Sequence, residues 1–66
     1  MQFQKGDNVR LKPEATLQSA AGFELKGTDM QIVDFESETV AVCAWLRRGK
    51  AQRRAIPVNL LDHATS

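Results

Sequence analysis

Arg47, Arg48, Lys50, Arg53 and Arg54 place five positive charges in eight residues, with no acid among them. Such a cluster can grip a phosphate backbone, with affinity that falls steeply as salt rises. It can also meet an acidic protein surface. The plainer reading is the solvated tip of a hairpin, with arginines that keep a strand edge from pairing with other chains. Arg10 and Lys12 are candidates to extend the same patch. The rest of the chain holds four bases against eight acids, net −4, so the formal net charge of +1 hides a basic tip on an acidic body.

Few other residues could do chemistry. Cys43 is the single cysteine, so no disulfide can form within one chain, and its neighbours Val42 and Ala44 are apolar. A small buried packing residue is expected there rather than a reactive thiolate, which needs its pKa lowered. Cys43 and the single histidine, His63, do not make a metal ligand set. Asp62 and His63 could pair as orienter and base, but no nucleophile stands beside them, and a surface histidine in a frayed tail is expected. Trp45 reads as core, with an indole N–H that needs a partner. No catalytic residue, metal ligand or cofactor is therefore assigned.

The 66 residues make at most one domain, spanning 1–66. A chain this short buries only about 60% of the surface it exposes when unfolded. It therefore needs a well-packed small barrel or a partner chain, and a second copy of the same chain is one candidate partner. No apolar run approaches the roughly 20 residues of a membrane helix. The start, MQFQKGDNVRLK, lacks the hydrophobic core of a signal peptide. With one reduced cysteine, these features point to a cytoplasmic protein without a membrane partner.

Hydropathy patterning supplies the elements that must position the bases. Asp7 to Lys12 alternates with one apolar face, a half-buried strand ended by Pro13. Residues 13–27 form a long first loop, with Leu17, Phe23 and Leu25 tucked onto the core; two helical turns over 14–21 are the alternative. Residues 29–35 make a second strand whose apolar parity switches at Ile32-Val33, which calls for a bulge or sharp bend. Glu36-Ser37-Glu38 turns the chain. Residues 39–46 are apolar at both parities, the mark of a central strand or of one whose outer side meets something else. The chain turns around Gly49, returns over 51–56 and stops at Pro57. A 3₁₀ turn over 57–60 precedes a last short strand at 61–63, and 64–66 should fray.

Five short strands, a long first loop and a 3₁₀ turn before the last strand describe an all-β chain, a small five-stranded SH3-like barrel. An OB-like barrel is the alternative. Gly6-Asp7-x-Val9-x-Leu11-Lys12, Met30-x-Ile32-Val33 and Val42-Cys43-Ala44-Trp45 resemble the motifs of the YodC-like family of small bacterial proteins. Ile56 and Leu61 stand where that family has apolar residues. The likeness covers roughly 3–12 and 27–62. It departs at the 13–27 insertion, at Leu46 in place of an aromatic and at Ile56 in place of a phenylalanine. The resemblance implies the fold and carries no activity.

Gly6-Asp7-Asn8-Val9-Arg10 also looks like the start of type II dihydrofolate reductase, a short SH3-like chain that works as a tetramer around a pore. The pore motif Val-Gln-Ile-Tyr of that enzyme meets Arg54-Ala55-Ile56-Pro57 here, and only the Ile is kept. The reading taken forward is a non-enzymatic binding module. Its partner would be a protein met by the 47–54 hairpin. Nucleic acid gripped by the same hairpin is the alternative, and a reductase-like oligomer is the remote one. Self-association through the outer face of strand 39–46 is a separate expectation.

Overall fold

The structure, a computed structural model, describes residues 3–19 and 22–64. Strand β3 (Val40–Arg47) is an interior strand, second from one edge of a five-stranded antiparallel sheet. It is flanked by β2 (Met30–Ser37) and β4 (Lys50–Pro57), and β1 (Asn8–Leu11) and β5 (Leu61–His63) complete the order β4-β3-β2-β1-β5. The apolar double parity of β3 has its cause here. Ala41, Cys43 and Trp45 are buried on the inner face, while Val40, Val42 and Ala44 are half-buried on the other.

The parity switch in β2 is a bulge. Ile32 stands opposite Cys43 and Asp34 opposite Val42, so Val33 is an extra residue. The insertion lets both Ile32 and Phe35 face inward, and it bends the strand over the core. A second shift between Phe35 and Ser37 was not legible in the hydropathy pattern. It moves the turn to Glu38-Thr39, with the Thr39 N–H donating to Ser37 Oγ at 3.3 Å.

The 3₁₀ turn expected at 57–60 covers Val58–Leu60. Its flanks are tied to the sheet, since Val58 N–H donates to Thr39 O and Lys12 N–H to Leu60 O, each at 2.8 Å. β4 and β5 end the sheet, and no pairing joins them among the described residues, so the sheet is open where a closed barrel would pair its edges.

The first loop is neither helix nor loose spacer. Leu25 N–H donates to Leu17 O and Ser19 N–H to Phe23 O, both at 2.9 Å, and Gln18 bridges Glu24. This short irregular hairpin arm buries Ala15 and Leu25 in the core and lays Leu17 and Phe23 against it. The alternative helix over 14–21 is absent among the described residues; Ala20 and Ala21 lie outside them. The fraying expected at 64–66 is corrected at Ala64, whose N–H donates to Asn8 O at 2.8 Å. Thr65 and Ser66 lie outside the described residues.

Candidate binding hairpin

The β3–β4 connection is two residues long. Arg48 and Gly49 both have positive φ, 53° and 78°, the signature of a type I′ turn. That turn matches the right-handed twist of its strands. For Arg48 it costs about 1 kcal/mol, because a side chain crowds the left-handed region. Gly49 has no such cost. The turn sets the register Arg47–Lys50, Trp45–Gln52, Cys43–Arg54 and Ala41–Ile56.

That register divides the five bases. Lys50 and Arg54 share the parity of buried Ile56, with Gln52 between them. Arg53 projects from the opposite face, across from Ala44, with Ala51 and Ala55 beside it. Arg48 stands at the apex. Arg47 is half-buried, with its guanidinium 3.7 Å from the centre of the Phe23 ring. Phe23 in turn meets Trp45 edge-on at 6.2 Å. None of the five makes an ion pair among the described residues. The bases straddle an edge strand rather than form one flat patch.

Arg10 and Lys12 are not brought to the hairpin. β2 and β3 stand between β1 and β4 in the sheet, and Arg10 Nη2 is 2.9 Å from Asp29 Oδ1. Lys12 lines a different cleft of about 350 Å³, floored by Phe3, Val58 and Leu61 and rimmed by Glu38, Asp62 and His63. His63 is not in a frayed tail. It is a strand residue whose ring stacks on Phe3 at 4.5 Å, with Nδ1 4.0 Å from Asp7 Oδ2.

Sequence reasoning missed Phe23 as the platform for Arg47. The two residues are 24 positions apart, and only the arm's fold brings them together. Asp34 gains a partner in the same way. The Phe35 N–H donates to its Oδ1 at 2.8 Å and Lys5 Nζ lies 3.5 Å away, which holds its carboxyl below the ordinary value. Cys43 is fully buried, and desolvation pushes its thiol up to about 11. A thiol in that state is neutral at ordinary pH and is not a nucleophile.

Among the described residues no group of three or more His, Cys, Asp or Glu could hold a metal ion, and no helix is long and apolar enough to cross a membrane. Compared with models of protein families, with curated proteins and with solved structures, the chain matches none of them.

Proposed function

We propose that the chain is a non-enzymatic binding module whose basic hairpin, 47–54, docks against an acidic protein surface. One observation carries this reading: five bases gathered on an edge hairpin have no ion-pair partner of their own among the described residues. Single-stranded nucleic acid is the less favoured partner because its binders add aromatic platforms on which bases stack. Here Trp45 is only 5% exposed and Phe23 lies under Arg47.

The test is fluorescence anisotropy with a labelled acidic peptide and with labelled single- and double-stranded oligonucleotides, at low and near-physiological salt. The control carries Arg47, Arg48, Arg53 and Arg54 changed to Ala. The expected result is peptide binding that the control weakens by roughly tenfold or more. Oligonucleotide binding that persists near physiological salt, with none to the peptide, would make the hairpin a phosphate grip instead.

A second reading, self-association, is supported by the outer face of the same hairpin. Leu46 is 75% exposed and continues the row of half-buried Val42 and Ala44, opposite exposed Ala51 and Ala55. Leu46→Glu is expected to change stability by less than about 0.5 kcal/mol, as exposed positions do. It should convert any dimer to monomer in sedimentation at high concentration. A monomeric mass for the unaltered chain would remove this reading.

A further inference from the structure

β4 is an edge strand, and its free side has a defined register. In a two-residue hairpin the flanking pair, here Arg47 and Lys50, exchanges both backbone hydrogen bonds. Antiparallel alternation then turns the N–H and C=O of Gln52, Arg54 and Ile56 toward β3. Those of Ala51, Arg53 and Ala55 turn away from it. Pro57 falls in the outward set, so its missing N–H removes nothing from the ladder with β3. Ala51, Arg53 and Ala55 are exposed, and among the described residues no backbone hydrogen bond from outside the sheet reaches them.

The edge is set against its own copy. Two β4 strands paired antiparallel about their centres would place Arg53 against Arg53 of the second copy, or Arg54 against Arg54, or Arg54 against Lys50. Like charges directly opposite are destabilising in each register. An acidic strand reverses the sign of every one of these contacts.

We propose that this edge binds an extended acidic segment of a partner protein as a sixth strand. Side chains of the guest alternate between two faces. On the face of Lys50, Gln52 and Arg54 the guest carries acids. On the face of Ala51 and Ala55 it carries aliphatic residues that extend the apolar row of Val42, Ala44 and Leu46, and Arg53 accepts a further acid between them. Backbone pairing supplies affinity and the alternating pockets supply selectivity, as in other strand additions. This inference rests on the reading of the hairpin as a site for acidic protein.

The experiment uses a peptide eight residues long to match β4, of alternating Glu and Val but with Glu also at the position opposite Arg53, and a second peptide with its Val residues changed to Pro. Proline keeps the charge but cannot pair as a strand. Binding is followed by anisotropy and by amide exchange of the full chain. The Glu-Val peptide is expected to bind, and the proline peptide roughly tenfold more weakly or worse. Exchange at Arg53 and Ala55 should slow at least about tenfold, while Gln52 and Arg54, already paired with β3, change little. R53A/R54A should abolish binding, with K50A/R54A as a second variant, both checked for an unchanged circular dichroism spectrum.

Equal binding of the two peptides, or protection elsewhere on the chain, would overturn strand addition while leaving the acidic-protein reading intact. No binding of either peptide would overturn both. A single-stranded oligonucleotide that displaces the peptide and binds more tightly near physiological salt would overturn the choice of a protein partner.

Discussion

Trp45→Ala is expected to leave the chain largely unfolded in water at 25 °C. Trp45 is 5% exposed on β3, and its ring supports Phe23 and, through Phe23, the guanidinium of Arg47. Truncating a buried aromatic costs about 3–5 kcal/mol in lost burial and cavity. A domain of this size rarely holds more than about 3–5 kcal/mol in a single core. The two are equal in scale, so loss of the far-UV circular dichroism spectrum and of a cooperative urea transition is the outcome to look for.

Trp45→Phe separates two contributions of the same side chain. The indole Nε1 is buried and has no hydrogen-bond partner among the described residues. An unsatisfied buried donor costs about 1–3 kcal/mol. Phenylalanine removes that donor while it gives up part of the ring surface, so the two changes oppose each other. The expected stability lies within about 1 kcal/mol of the unaltered chain. A loss as large as that of the alanine variant would show that ring area outweighs the orphaned N–H.

Stability should also fall between about pH 9 and pH 11 because of Cys43. Burial raises its thiol from 9.0 to about 11 in the folded chain. As pH rises past 9.0 the unfolded chain loses this proton first, and the folded chain keeps it. The unfolded state then binds fewer protons, so unfolding becomes easier as pH rises. Below the unfolded value the full contribution is present. It is lost progressively until the folded thiol itself ionises. At about 1.4 kcal/mol per pH unit the loss totals roughly 2–3 kcal/mol.

Urea unfolding at about pH 8 and about pH 11 for the unaltered chain and for Cys43→Ala measures this contribution. Whatever the two proteins share cancels in the difference. The alanine variant starts lower, because it leaves a cavity in the core beneath β3, but its pH curve should be flatter. Parallel curves for the two proteins would show that Cys43 does not carry the effect.

In the binding reading proposed above, the hairpin suits a chain of this size. Its turn is pinned by two positive φ angles and its first base is stacked on Phe23. A rigid edge spends less ordering entropy on binding than a loose basic tail would. Phe23, on the arm, lies under Arg47 and is not part of the edge itself.

Local pattern alone determined the all-β class, the five strands, the bulge at Ile32-Val33, the 3₁₀ turn and the hairpin around Gly49. Each depends on side-chain period, on backbone freedom at glycine or on the missing N–H of proline, and these act over a few residues. The inward placement of Leu17, Phe23 and Leu25 was legible too, because large apolar side chains seek cover wherever their backbone runs. Other features needed the tertiary structure. The arm's pairing of Gln18 with Glu24 has no periodic signal, and the stacks of Phe23 under Arg47 and Phe3 on His63 join distant segments. The pairing of Arg10 with Asp29 and the division of five clustered bases between two faces follow from strand register and sheet order. A run of charges in sequence carries only its spacing; which face each charge takes, and which neighbour it meets, is decided across the sheet.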